Sequence, residues 1–595
     1  MPRLLPIPAV GPVAALLAAL LASCAQHGLN VAADNQAGQA RAASERKVSS
    51  DPEMADAAGS APVAAPAFIV PQAMTAPPPP PPPAPPAMAG MVVTGARMAT
   101  MGAFARRLPE PYRVPAYQDV GRDRFTAKEE NSFKEVREDP VSTFSIDVDT
   151  ASYSFVRASL NRNLLPQPAA VRTEEMVNYF PYAYAAPRSA EQPFTTGISV
   201  FPSPWTQGRK IVRIGIRGYA MTQAARPRAN LVFLIDTSGS MMAPNKLPLV
   251  KQSLSMLLDQ LSPDDRVSIV TYAGRAGTAL TPTRSGEKTK IRAVLERLEA
   301  GGSTAGAEGI RQAYALAEEN LDPKGVNRVI LATDGDFNVG ITNENELKGY
   351  IERERGKGVF LSILGFGMGN YNDALMQILA QNGNGAAAYI DTLNEARKTL
   401  VDEAGSTLFP IAKDVKIQVE FNPATVSEYR LIGYETRMLA REDFDNDKVD
   451  AGDVGSGQTV TALYEIVPVG GPRAVADLRY AKPAAMASHG GEYGFVKIRY
   501  KLPKSDTSRL ITTPIDRRAE AIRFADAPQD ARFATGVAAF AELLRGGKYS
   551  KGIGYDAVIR IASEAKGDDA FGYRSEFIQM VRAAKTASSI ARLDQ

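Results

Sequence analysis

The chain is poor in reactive side chains. Its 595 residues include one cysteine, Cys24, two histidines, His27 and His489, and a single tryptophan. One cysteine excludes an intrachain disulfide, and with two remote histidines it cannot make a zinc site. A Ser-His-Asp centre would have to use His489, in the Gly-rich stretch Ala487-Ser-His-Gly-Gly491, and no G-x-S-x-G elbow accompanies it. Ser285-Gly-Glu-Lys288 fits S-x-x-K, but the companion motifs S-D-N and K-T-G are missing, as is a Walker A loop. Charge of one sign is lacking too: 68 basic against 65 acidic residues give a net +3. With no basic stripe interleaved with aromatics, nucleic acid is not the expected partner. These absences remove the usual catalytic groups, and the expectation is a protein that is not an enzyme.

The N-terminus has the outline of a signal peptide over residues 1–23: Met1-Pro-Arg3, an apolar run through Val13 to Ala22, then Ser23-Cys24. That run is too short for an ordinary membrane-spanning helix. Leu21-Ala-Ser-Cys24 resembles the bacterial lipobox, which implies that Cys24 becomes the lipidated first residue of a lipoprotein. Ala25 follows instead of the Asp that goes with inner-membrane retention, so the expected address is the cell envelope, anchored in the outer membrane and facing the periplasm. Residues 24–139 are rich in Ala and Pro, with a polyproline run from Pro77 to Pro83, and read as a disordered tether. About 100 residues of such chain reach on the order of 60 Å. Within it, Met91-Val-Val-Thr-Gly-Ala-Arg97 resembles a short segment near the start of outer-membrane TonB-dependent receptors, although a chance apolar patch accounts for it as well.

The informative stretch is Leu231-Val-Phe-Leu-Ile-Asp236-Thr-Ser238-Gly-Ser240-Met241. Five apolar residues ending in a carboxylate and two alternate hydroxyls read as a buried parallel strand opening into a polar loop, where open α/β sheets bind ligands. Asp-x-Ser-x-Ser offers hard oxygens, suited to magnesium, manganese or calcium. Alone, the loop also fits a strand-to-helix turn with Ser as N-cap. Two later loops extend the set: Gly301-Gly-Ser-Thr304, which opens a helix, and Val329-Ile-Leu-Ala-Thr-Asp334-Gly, which ends another apolar strand. Together they resemble the von Willebrand factor type A (VWA) family and its metal-ion-dependent adhesion site. The resemblance implies that Asp236, Ser238, Ser240, Thr304 and Asp334 hold a divalent cation, Mg2+ first and Mn2+ or Ca2+ as alternatives. The hydroxyls would touch the ion, and the carboxylates would act largely through water. An ion ligated mainly by neutral oxygens seeks an anion, so the implied partner is a protein offering an Asp or Glu carboxylate.

Strand and helix patterns alternate from residue 230 to 408, so the expected fold is an α/β, Rossmann-like doubly wound VWA domain. Gly365-Phe-Gly367-Met-Gly369-Asn370 follows a strand as a dinucleotide loop would. Asn370 replaces the third glycine, however, and the loop reads as a flexible rim to the metal site. On either side the period changes to alternation, in Val141–Val148, Phe194–Phe201, Lys210–Arg217, Asp414–Phe421, Gln458–Val467 and Glu492–Tyr500. Neither flank has strands enough for a core, so residues 140–229 and 409–520 are expected to form one β-sandwich with the VWA domain inserted, and residues 521–595 to be helical. The wording Asp147-Val-Asp-Thr-Ala-Ser-Tyr153 with Asn178-Tyr-Phe180 resembles the flanking region of bacterial VWA lipoproteins of the YfbK type. Asp147 and Asp149 read as an acidic strand end, with a second metal site as the alternative. Asp443-Phe-Asp445-Asn-Asp447 opens like a calcium loop, but Lys448 and Val454 stand where Gly and Glu are needed, so it reads as a solvated hairpin tip. The functional expectation is a metal-dependent binding module. A divalent-metal hydrolase and a purely structural envelope protein are the alternatives.

Overall fold

The computed structural model describes residues 123–595 except 304–305, 336–343, 370, 476–490 and 594–595. Cys24, His27, the tether to residue 122, the Met91–Arg97 segment, Thr304 and His489 lie outside the described residues.

The apolar run before Asp236 becomes the central strand Ala229–Asp236, buried at every position. It pairs in parallel with Val326–Thr333 on one side and Arg266–Tyr272 on the other. Val359–Phe366 and Ala387–Ile390 extend the sheet in parallel, and Ala276–Arg284 closes the far edge antiparallel. Strands buried on both faces need continuous apolar sequence and helices above and below. Leu247–Gln260, Lys288–Arg297 and the turns from Leu393 onward pack on one face around Phe233, Ile269 and Ile330. Gly306–Glu319, Glu344–Gly356 and Asp373–Asn382 pack on the other around Leu234, Val329 and Leu361. The first helix starts at Leu247, not at Asn245 as its periodicity suggests, because residues Gly239–Met242 form a separate 3-10 turn that turns the chain over the strand end.

The flanking strands form two sheets around one core. In the first, the spatial order is Lys134–Glu135, Val426–Ile432, Thr459–Pro468, Lys210–Gly218 and Phe194–Pro202. In the second, Gly452–Gly455, Pro410–Phe421, Glu492–Lys501 and Ser508–Asp516 lie in order, with Val141–Ser145 also paired to Pro410–Phe421. Strands from before the VWA domain and after it are thus hydrogen-bonded to each other in both sheets. Phe144, Ile214, Val419, Tyr464 and Val496 fill the space between. The chain leaves for the VWA domain and returns at neighbouring points, with the Arg226 guanidinium 5.5 Å from the centre of the Phe409 ring.

Three C-terminal helices, Gln529–Arg545, Tyr555–Glu564 and Tyr573–Leu593, cover the outer face of the first sheet. Phe533, Val537, Phe540 and Phe577 pack there against Phe201, Trp205, Ile432 and Leu463. The expected end of the tether at residue 139 is corrected. Residues before 140 are built into the frame: Lys134–Glu135 adds a short strand against Tyr429 and Glu428, and Phe133 is buried under Arg209.

Candidate metal centre

Asp236 and Asp334 end neighbouring parallel strands, and both are fully buried. Four of the five residues named from sequence are described, and the structure brings them to one end of the sheet. Ser238 donates its backbone N–H to Asp236 Oδ1 at 2.8 Å, which curls the loop back on the strand. The Ser238 and Ser240 hydroxyl oxygens are 3.0 Å apart, so both face one point. Thr333 Oγ1 donates to the other Asp236 oxygen at 3.3 Å. The Gly-Gly loop before Thr304 is tied to the same place, since Gly301 N–H donates to Thr237 O at 2.8 Å and Gly239 N–H to Gly302 O at 3.1 Å. Gly302 takes φ +84°, a left-handed conformation that glycine adopts without penalty.

Burial raises the Asp236 carboxyl above its ordinary value. Hydrogen bonds from Ser238 pull it back, and the Asp334 charge pushes it up again. Two carboxylates deprived of water attract positive charge. The structure shows one such charge, Lys246 Nζ, donating to Asp334 Oδ2 at 2.8 Å. Two neighbouring hydroxyls and two buried carboxylates make a donor set that fits a hard divalent ion, and the ammonium drawn to one carboxylate marks the negative charge such an ion would meet. Sequence reasoning missed Lys246, because the spacing of Ala243-Pro-Asn-Lys246 gives no sign of a partner 88 residues away.

The loop expected to be a flexible rim is pinned instead. The Tyr389 hydroxyl donates to Gly367 O at 2.8 Å, and the amides of Gly369 and Tyr371 both donate to Asp123 Oδ1, at 2.9 and 2.8 Å. Asp147 and Asp149 lie with Glu175 in a cluster tight enough for an ion. That cluster already has its cations. Arg437 donates to Asp147 and Asp149 at 2.9 to 3.0 Å, and Arg172 bridges Glu175 to Asp373. Asp149 also accepts the Ala387 amide at 2.9 Å, so these acids join the sandwich flank to the VWA sheet. The acidic hairpin is neutralised in a similar way: Arg499 meets Asp445 and Asp447, and Arg355 meets Asp450.

Comparison with known proteins bears on the family and the fold. The von Willebrand factor type A domain profile matches residues 230–403, a von Willebrand factor profile matches 119–213, and the profile described as "Uncharacterized protein YfbK, C-terminal" matches 406–587. The human inter-alpha-trypsin inhibitor heavy chain H4 is 28% identical over 35% of this chain and 24% of its own length. A solved von Willebrand factor type A protein from Catenulispora acidiphila superposes with a TM-score of 0.40 and 14% identity, over 68% of this chain and 91% of that one. YfbK of Escherichia coli (strain K12) is 42% identical over 480 residues, 79% of this chain and 83% of that protein. With that identity over most of both proteins, and the flanking frame matched as well as the inserted domain, the chain belongs to the YfbK family of VWA-domain proteins.

Proposed function

We propose that this protein is a divalent-metal-dependent binding module that captures an Asp or Glu carboxylate of a protein partner. The observation that carries the reading is the convergence of Asp236, Ser238, Ser240 and Asp334 at the carboxyl ends of two adjacent parallel strands. Thr304 completes the set by its place in the sequence. A bound divalent ion supplies an open position for an anion. The protein's own part is to aim Ser238 and Ser240 through the bond from the Ser238 amide to Asp236. Thr333 helps to fix Asp236, and the buried strand ends keep the second carboxylate away from bulk water. Mostly neutral ligands leave positive charge for the partner to satisfy, which favours capture over hydrolysis, as does the scarcity of His and Cys. Mg2+ is the first candidate, with Mn2+ and Ca2+ compatible with the same oxygens.

Calorimetric titration of Mg2+ and Mn2+ into the protein tests this. One ion per chain is expected, with binding lost in Asp334→Asn, which keeps the size of the buried side chain and a group for Lys246 to donate to. Absence of binding at millimolar metal would sink the reading. We further infer, from Leu21-Ala-Ser-Cys24, that Cys24 is acylated and holds the protein in the cell envelope. A fatty-acid analogue fed to cells should label the wild type and spare Cys24→Ala; equal labelling of the two refutes the anchor.

A further inference from the structure

The buried carboxylate at the end of the strand Val326–Thr333 is already engaged. Asp334 accepts Lys246 Nζ at 2.8 Å, and the lysine side chain is itself only 11% exposed. Its stem is seated rather than loose. Gly367, at φ +74°, lies so close that a Cβ there would come within 2.3 Å of Lys246 Cε and 2.8 Å of Cγ. A side chain there would push the lysine off this path, and at φ +74° glycine is also the residue the backbone favours. The seat is rigid, since Gly367 O accepts from the buried Tyr389 hydroxyl and the following turn is held by Asp123.

We infer that Lys246 is the competitor that sets the metal affinity of this site: binding is an exchange, in which a divalent ion replaces the ammonium at Asp334. The inference rests on the metal-binding reading above. Its physical basis is charge. Asp236 and Asp334 bring two buried negative charges, and leaving them without a counter-charge is costly. Lys246 supplies one positive charge in a fixed place, which keeps the strand ends stable before any metal arrives. A divalent ion brings two and can displace it. A monovalent ion brings only one, loses its own hydration and gains nothing over the ammonium, so Lys246 makes the site discriminate against sodium and potassium. The exchange also has a mechanical side. The lysine stem runs beside Gly367, so its withdrawal from Asp334 changes what the turn beginning there packs against. Metal binding is thereby relayed to Asp123, which holds the Gly369 and Tyr371 amides.

The test is calorimetric titration of Mn2+ into the wild type, Lys246→Met and Lys246→Gln, with hydrogen exchange followed at the Gly367 and Gly369 amides. Both variants should bind Mn2+ about ten-fold or more tightly than the wild type, since a unit charge at this distance is worth at least that in a partly buried site. Mn2+ should speed exchange at Gly367 and Gly369 in the wild type and leave it unchanged in Lys246→Met. Lys246→Gln keeps a donor toward Asp334 without the charge, so tighter binding in that variant supports the inference even if Lys246→Met folds poorly. Equal or weaker affinity in both variants overturns the exchange while leaving the metal site standing. No binding in any of the three proteins, with the fold intact, overturns both.

Discussion

Glu174 shows how this protein confines charge. It lies in the helix Thr173–Asn178 at 1% exposure, and one of its oxygens accepts the Tyr434 amide at 2.9 Å. Gly433, at φ +79°, lets that turn come close, and a Cβ there would meet the Glu174 carboxylate at 2.7 Å. The other oxygen has no hydrogen-bond partner among the described residues. Burial, and then the charges of Glu435, Asp147 and Glu175, push this carboxyl up from 4.5 to about 8. The sign of the consequence is fixed by linkage. Between 4.5 and about 8 the folded protein holds a proton that the unfolded chain releases, so stability falls as pH rises through that window. The thermal midpoint should therefore drop on going from mildly acidic to mildly alkaline buffer. Glu174→Gln, which mimics the protonated form, should flatten that part of the profile. A variant with the same slope as the wild type would assign the pH dependence to other groups.

At the scale of elements, the helix Ala151–Asn161 ties three parts of the chain together through one side chain. Arg157, at 2% exposure, donates to Glu395 at 2.7 Å and to Asp391 in the VWA domain, to Glu576 at 3.0 Å in the last helix, and to the Tyr179 hydroxyl at 2.9 Å. Removing one member of a buried ionic cluster strands the others, a loss of roughly 3–5 kcal/mol. Arg157→Met should cost about that much in urea-induced unfolding, and Arg157→Lys should not restore it, because one ammonium cannot present the planar fork these acceptors use. Full stability in Arg157→Lys would mean that charge alone holds the joint.

None of this network was legible in the sequence, since the Arg157 partners lie 234 and 419 residues away. What could be read was local: the apolar run into Asp236, the DTSGS loop, and the alternating strands of the flanks. The edge strand Ala276–Arg284 was missed because its Gly, Thr and Pro leave one side exposed, and its conformation is imposed by pairing with Arg266–Tyr272. The helical end expected over 521–595 is there, and within it the helix Tyr555–Glu564 turns Val558, Ile561 and Ala562 to the core. The site showed the same division. The oxygen ligands proposed for it announce themselves by spacing, whereas Lys246 is visible only once strand and loop have met.

At the scale of the molecule, insertion raises the question whether the VWA domain and its frame are two bodies or one. The junctions are close enough for excision, as the Arg226–Phe409 contact shows, so a short Gly-Ser linker in place of residues 230–408 is geometrically possible. The frame should then fold with β-type circular dichroism, because its two sheets take strands from both sides of the insertion and neither side closes a core alone. It should also be less stable than the whole. Excision removes Asp391 and Glu395 from Arg157 and Asp373 from Arg172, and it uncovers Phe155, which packs edge-on to Tyr389 at 5.7 Å. Shared buried charge of this kind makes separate unfolding expensive, since each half would expose ions whose partners remain in the other. Calorimetry on the intact chain should therefore show one transition spanning frame and domain. Added Mn2+ should raise the midpoint of that whole transition, because a ligand held by the folded VWA domain stabilises everything that unfolds with it. Two transitions, of which only one moves with metal, would show that the frame merely carries the domain. A single transition that shifts as a unit would mean that the buried ion pairs transmit what happens at Asp236 and Asp334 to the sandwich and its helices.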